Sequence, residues 1–177
     1  MYQSFIKAEL AILDFFDFMR FPFMNKIMTF ISALADDGIL WIVVGIVMLF
    51  FKNTRKGGVC VLLALIINLV IVNVTLKPLV ARTRPYDINT AVNLIVHAPH
   101  DYSFPSGHTS ASFAAALSIF FANKKWGTCA LVGASLIGFS RLYLYVHFPT
   151  DVLFGALFGI AASFVSKYVI SKIKMLG

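Results

Sequence analysis

Six stretches of mostly apolar residues take up most of this 177-residue chain, and they constrain its fold more than any other feature. They run over about residues 21–35, 38–51, 57–76, 106–122, 126–145 and 149–171. A helix needs about 20 residues to cross the ~30 Å hydrocarbon core of a bilayer. With 59% apolar and 13% charged residues, the chain is too apolar for a soluble fold of this size. The sequence therefore predicts an all-α, polytopic membrane protein with six transmembrane helices.

The first 20 residues differ from these stretches because polar side chains interrupt the apolar run. Four polar residues recur along them at helical spacing: Gln3, Lys7, Asp14 and Asp17. Glu9 lies off that stripe. The pattern is typical of an amphipathic helix that lies in the plane of the membrane. Since no linker or internal repeat interrupts the sequence, we expect a single domain over residues 1–177 with the amphipathic helix at 1–20.

The 15 lysines and arginines exceed the eight acidic residues and give a net charge of +7. A basic excess of this kind indicates either nucleic acid binding or a preferred orientation in a membrane. With six crossings, eleven of the cations fall at one end of the bundle, together with both termini. The positive-inside rule makes that end cytoplasmic. We therefore expect both termini in the cytoplasm, and no nucleic acid partner is needed.

The opposite end keeps ionisable residues that the positive-inside rule does not explain. It holds four cations, Lys77, Arg82, Arg84 and Arg141, and four histidines, His97, His100, His108 and His147. Ionisable groups at membrane depth are expensive and usually functional. We therefore expect the active site within residues 77–151, on the extracytoplasmic face.

A phosphate site can be predicted from the start of the fourth apolar stretch. Pro105 and Ser106 open this helix, whose first N–H groups have no partner within it and form an anion site. Gly107 lets a ligand approach the backbone closely. Three cations can add charge-assisted hydrogen bonds: Lys77, Arg84 and Arg141. Together these groups suit a ligand with about two negative charges, such as a phosphate.

Two histidines and one carboxylate can supply the chemistry at this site. Asp151 falls in the first turn of the last helix, close enough to bond the imidazole of His147. A carboxylate on one ring nitrogen leaves the other nitrogen free as a nucleophile. His108 begins a neighbouring helix and can protonate a leaving oxygen. Because no acidic cluster for a metal is visible, we expect transfer through a phosphohistidine, with no metal and no cofactor.

Three short motifs hold these residues. They are Lys77 with Arg84 and Pro85, then Pro105, Ser106, Gly107 and His108, then Ser140 and Arg141 with His147 and Asp151. All eleven fixed positions of KxxxxxxRP, PSGH and SRxxxxxHxxxD match in order, and the set resembles the signature of the type 2 phosphatidic acid phosphatase (PAP2) superfamily.

The resemblance implies a helical-bundle core and metal-independent hydrolysis. It implies His147 as the nucleophile, Asp151 as its partner and His108 as the acid. It also implies five phosphate ligands: Lys77, Arg84, Ser106, Gly107 and Arg141.

A site at the membrane surface meets lipid headgroups at high local concentration, so we expect a bacterial membrane phosphatase that removes the terminal phosphate of a lipid. Undecaprenyl diphosphate, phosphatidylglycerol phosphate, phosphatidate and diacylglycerol diphosphate are hydrolysed within the family, and the short loops favour the first two. The alternatives are a phosphatase of a soluble ester and a silent lipid-phosphate binder or transporter. A monomer is favoured.

Arg82 is interpreted as a lipid-headgroup or loop contact, and His97 and His100 as residues of a solvated loop.

Overall fold

The structure, a computed structural model, describes residues 2–173, so Lys174 and the rest of the C terminus lie outside it. All regular structure in this range is helical, which confirms the all-α prediction. The helices are α1 (Tyr2–Phe18), α2 (Pro22–Ala33), α3 (Ile39–Phe50), α4 (Arg55–Asn68), α5 (Lys77–Val80), α6 (Pro85–Ile88), α7 (Gly107–Ala122), α8 (Lys124–Tyr143) and α9 (Pro149–Lys172). A π-helical segment, Leu69–Leu76, joins α4 to α5 and a 3₁₀ turn, Asp36–Gly38, joins α2 to α3.

Helix α7 lies at the centre of the bundle, between α4, α8 and α9. Small residues let its neighbours approach closely, as is common between membrane helices. A Cβ atom on Gly159 of α9 would lie 2.2 Å from the carbonyl oxygen of Ser110, and one on Gly155 would lie 2.7 Å from that of Ser106. The glycine pair of α9 therefore packs against α7, inside the bundle.

The bundle has two ends, which we call the motif end and the far end. At the motif end, α7 and α9 both begin, and the N–H of Ser106 donates to the carbonyl oxygen of Asp151 at 3.0 Å. At the far end α7 finishes, and a Cβ atom on Gly57 in α4 would lie 2.4 Å from that of Ala122. The catalytic motifs of the sequence therefore share one end of the molecule.

Helix α1 lies at the motif end, and this corrects the expectation that the N terminus sits opposite the site. Glu9 accepts a hydrogen bond from the N–H of Thr150 at 2.9 Å, and Asp14 accepts one from the Tyr145 hydroxyl at 2.6 Å. Glu9 and Leu13 are buried, so the face of α1 that carries them packs on the bundle. Amphipathicity predicts that such a helix lies on a membrane but not on which side.

Helices α2 and α3 form one bent column, so six transmembrane helices are not confirmed. Each has 12 residues, about 18 Å of helix and too short to cross a bilayer alone. The angle between them is 43°. Among the described residues, two stretches are long and apolar enough to cross a membrane singly, Arg55–Ile88 and Pro149–Lys172, and the α2–α3 pair is a third.

Candidate active site

Helix termini and two left-handed turns assemble the site. Ala81 follows α5 with φ 48°, and Tyr145 follows α8 with φ 63°. Such values are uncommon for residues with a side chain. The two turns redirect the chain towards the bundle, which brings Arg84 and His147 beside each other.

Two of the predicted phosphate ligands meet at one carboxylate. Lys77 and Arg84 each form an ion pair with Asp101, and the Arg84 Nε also donates to the Asp101 carbonyl oxygen at 2.7 Å. Both cations are buried, whereas the Asp101 side chain is 52% exposed. Burial raises the pKa of Asp101, but the hydrogen bonds and charges of Lys77 and Arg84 outweigh it and bring that pKa to about 2. The Asp101 carboxylate thus occupies a position at which two cations can hold an anion.

The third predicted cation, Arg141, lies in the last turn of α8 and is also buried. It donates to the hydroxyl of Ser32 in α2. Its Nε atom is buried without a hydrogen-bond partner in the described structure. A buried guanidinium N–H without an acceptor lowers the stability of the fold. An anionic oxygen that accepted a hydrogen bond from it would therefore be bound favourably.

His147 lies beside this cluster and is 1% exposed. Its Nε2 is 3.4 Å from an Nη atom of Arg84, and its Nδ1 is 3.6 Å from Oδ2 of Asp151. The structure therefore brings the predicted pair together, at slightly more than hydrogen-bond distance. Burial and the neighbouring cations lower the pKa of His147 well below its ordinary value, so the imidazole is neutral at neutral pH and keeps one unprotonated ring nitrogen.

His108 is held by a partner that sequence reasoning missed. Its Nε2 is 2.8 Å from Oδ1 of Asp36, in the turn between α2 and α3. Those residues are 72 positions apart, and no short motif signals a pair at such a separation. The site therefore contains two histidine–carboxylate pairs, one at the start of α7 and one at the start of α9.

The first turn of α7 combines a cap with a close approach. The Ser106 hydroxyl oxygen accepts from the N–H of Thr109 at 3.4 Å and lies 2.9 Å from the Thr109 hydroxyl. A Cβ atom on Gly107 would lie 3.0 Å from Oδ1 of Asn73 and 3.7 Å from Nζ of Lys77. Only glycine leaves this space open beside the cation. Ser106 caps the helix here, and its role as a phosphate ligand stays a prediction.

Arg82 contacts the site directly, which corrects its interpretation as a lipid-headgroup or loop contact. It donates to Oδ1 of Asp151 at 2.5 Å and to the carboxylate of Glu9 at 2.5 Å. His97 and His100 are exposed on the loop, and neither pairs with the cluster within the described residues. Glu9, Arg82, Asp36 and Asp101 are thus the site neighbours that the motifs did not reveal.

A cavity of about 570 Å³ opens beside Lys77. Lys77, Gly107 and His108 line one part of it, and apolar residues of α3 and α4, including Ile42 and Leu62, line another. A cavity of this composition can hold a charged group next to a hydrocarbon chain.

Comparisons with known proteins agree with this geometry. The sequence model of the PAP2 superfamily matches residues 57–175. An undecaprenyl-diphosphatase of Sulfolobus acidocaldarius is 34% identical over 144 residues, which cover 81% of this chain and 69% of the relative. One from Bacillus subtilis is 32% identical over 146 residues, 80% of this chain and 72% of the relative.

A solved structure is similar over almost the whole chain. The crystal structure of a transmembrane PAP2-type phosphatidylglycerolphosphate phosphatase from Bacillus subtilis superposes with a TM-score of 0.78. It is 31% identical in sequence, and the match covers 97% of this chain and 89% of that one. The similarity therefore extends beyond the motif region to the arrangement of the helices.

Proposed function

This chain belongs to the PAP2 superfamily and is a membrane phosphatase, and we propose that it removes the terminal phosphate of a lipid through a phosphohistidine on His147. The observation that carries the proposal is the convergence of Lys77 and Arg84 on one carboxylate, beside the imidazole of His147. An anion held there would lie next to a neutral ring nitrogen. This would place the nucleophile next to the phosphorus, as phosphoryl transfer requires.

In the proposed first step, Nε2 of His147 attacks phosphorus, and a P–N bond forms as the P–O bond to the lipid breaks. His108 donates a proton to the departing oxygen. Asp151 stabilises the positive charge that develops on the imidazole of His147.

In the second step, water attacks the phosphohistidine and the P–N electrons return to His147. The water proton passes to His108, which restores both histidines. Lys77, Arg84 and Arg141 stabilise the charge on the phosphoryl oxygens throughout.

The cavity supports a lipid as the substrate rather than a soluble ester. Lys77 and His108 line the same cavity as apolar residues of α3 and α4. A phosphate bound at Lys77 would therefore place the organic group of the substrate in contact with apolar side chains. The similar proteins are named for undecaprenyl diphosphate and for phosphatidylglycerol phosphate. We propose these two lipids as the candidate substrates.

The test is phosphate release by the purified protein in detergent, from both lipids, from phosphatidate and from a soluble sugar phosphate. We expect release from at least one lipid, equal with and without EDTA. Release from the soluble ester alone would contradict the lipid assignment, and loss of activity in EDTA that magnesium restores would contradict the metal-independent reaction.

We further propose that the motif end faces the outside of the cell and the far end the cytoplasm, with five crossings. The crossings are the α2–α3 column, the column from α4 to α5, and α7, α8 and α9. The elements at the far end carry seven cations of the described chain: Lys52, Arg55, Lys56, Lys124, Lys125, Lys167 and Lys172. All eight acidic residues lie in elements at the motif end. Seven further described cations lie towards the motif end, but four of these, Lys77, Arg82, Arg84 and Arg141, belong to the site. The remaining three, against seven at the far end, support the orientation through the positive-inside rule.

Cysteine labelling in intact cells distinguishes five crossings from six. In a background with Cys60→Ala and Cys129→Ser, we expect an impermeant maleimide to label Lys7→Cys and His100→Cys. Asn53→Cys, in the loop between α3 and α4, is expected to stay unlabelled until the cells are opened. If Lys7→Cys is protected and His100→Cys is labelled, the N terminus is cytoplasmic and the five-crossing topology is wrong.

Asp101 is expected to compete with the phosphate of the substrate, because it occupies two of the cations. With a pKa of about 2, lower than the usual value for an aspartate, it stays ionised at assay pH and would release the cations only as the pH falls towards 2. Asp101→Asn should therefore lower the KM roughly tenfold, since charge-assisted hydrogen bonds to a competing anion are lost. The control is Asp87→Asn on α6. A raised KM would instead show that Asp101 positions the cations for the substrate.

A further inference from the structure

Arg82 lies between two carboxylates that come from opposite ends of the sequence. One Nη atom is 2.5 Å from Oδ1 of Asp151 in α9, and the other is 2.5 Å from Oε2 of Glu9 in α1. The guanidinium also stacks on the ring of Phe148, 4.0 Å from its centre. The side chains of Arg82, Glu9 and Asp151 are 14%, 5% and 0% exposed. Interactions between charges this well shielded from water are strong.

The contact with Arg82 reduces the negative charge that Asp151 can offer to His147. Its Oδ2 accepts from the Ser103 hydroxyl at 2.5 Å and from the N–H of Phe148 at 2.8 Å, while Oδ1 faces Arg82. A carboxylate that is paired with an arginine has little net charge to offer an imidazolium 3.6 Å away. Arg82 by itself would therefore weaken the stabilisation of positive charge on His147.

The negative charge of Glu9 offsets the positive charge of Arg82. Its charge, with those of Arg82 and Asp151, gives the group a net charge of −1, the charge that an unpaired Asp151 would have. Glu9 is fixed in place by Thr150, whose N–H and hydroxyl both donate to Oε1, at 2.9 and 2.7 Å. Thr150 precedes Asp151 in the first turn of α9, so α1 is bound directly to the element that carries the carboxylate.

We propose that Glu9 is a positioning residue of the reaction, which acts through Arg82 to keep the Asp151 carboxylate effective towards His147. The inference rests on the proposed function, because it takes His147 as the nucleophile. It makes α1 part of the catalytic apparatus rather than a membrane anchor alone. The competing explanation is that Glu9 only fastens α1 to the bundle.

A charge-restoration experiment separates the two explanations. Vanadate mimics the phosphoryl group in transfer to a histidine, and its affinity can be measured by calorimetry without lipid turnover. We expect Glu9→Gln to weaken vanadate binding roughly tenfold, because the group becomes neutral. Glu9→Gln combined with Arg82→Gln returns the net charge to −1, and we expect it to bind within about threefold of the original protein. In phosphate release, the same pattern should appear in kcat, with KM changed less than about twofold.

The matched control is Asp14→Asn, since Asp14 also fastens α1 to the bundle, through the hydroxyl of Tyr145. It should lower the temperature of unfolding but leave vanadate affinity within about twofold. An equal loss of affinity for Asp14→Asn and Glu9→Gln would overturn the proposal, as would a double variant no better than Glu9→Gln. Unchanged vanadate affinity in Glu9→Gln would also overturn the proposal.

His147→Ala shows whether the proposed function itself fails. If that variant binds vanadate as tightly as the original protein, His147 is not the nucleophile and both proposals are wrong. If it binds weakly while Glu9→Gln binds normally, only the role of Glu9 is wrong.

Discussion

His147→Ala is expected to lower kcat at least about a thousandfold on every substrate, with lipid binding retained. Its Nε2 is the neutral nitrogen beside the cation cluster, so its removal deletes the atom that bonds to phosphorus. Lys77, Arg84 and Arg141 remain in place to hold the phosphate. The measurement is phosphate release under saturating lipid, together with lipid binding to the detergent-solubilised variant.

Because His147 is buried, His147→Asn is needed as a second variant that keeps a polar side chain in the same space. Both variants should lose turnover, and at least the asparagine variant should unfold near the temperature of the original protein. His97→Ala, on the exposed part of the loop, should keep full activity. A folded His147→Asn protein that retains more than a few per cent of turnover would contradict the assignment of His147 as the nucleophile.

The centre of the site could be predicted because short-range spacing determines it. Asp151 follows His147 by four residues across a helix start, and Gly107 lies in the first turn of α7, so local geometry places each group. The close approach of the glycine pair in α9 also depends on short-range spacing. Small residues four apart on a membrane helix indicate a close contact, which the structure shows against α7.

The charged partners around that centre could not be predicted. Asp36 meets His108 across 72 residues, and Glu9 meets Thr150 across 141. Pairs of this kind depend on how whole helices dock, and a single sequence carries no periodic or local signal for them. Arg82 looked peripheral for the same reason, since its two carboxylates lie in the first and last helices.

The number of crossings could not be determined from hydropathy alone, because hydropathy records the length of an apolar stretch and not the direction of the chain. The polar turn Asp36–Gly38 resembles a hairpin between two spans. In the structure it bends the chain by only 43°, so α2 and α3 continue in one column. The turn lies beside the start of α7, where Asp36 reaches His108. Asp36, which follows the first apolar stretch of the sequence, is thus a neighbour of the site.

The second large effect is expected for His108→Ala, and it should depend on the leaving group. A lipid alkoxide is a poor leaving group near neutral pH and needs a proton, whereas the phosphate released from a diphosphate needs much less help. We expect kcat to fall roughly 100- to 10,000-fold on phosphatidate but less than about tenfold on undecaprenyl diphosphate. His147→Ala should lower both rates alike, because both substrates need the nucleophile.

The hydrogen bond between His108 and Asp36 allows a second test of the role of His108. Asp36 accepts from or shares a proton with Nε2 of His108, so it orients the ring. Asp36→Asn keeps the size of the side chain and should reproduce the substrate dependence of His108→Ala at smaller magnitude, with Asp37→Asn as the control on the same turn. Turnover of both lipids by these variants is the measurement. Equal losses on the two substrates would mean that His108 binds phosphate or serves only the second, hydrolytic step.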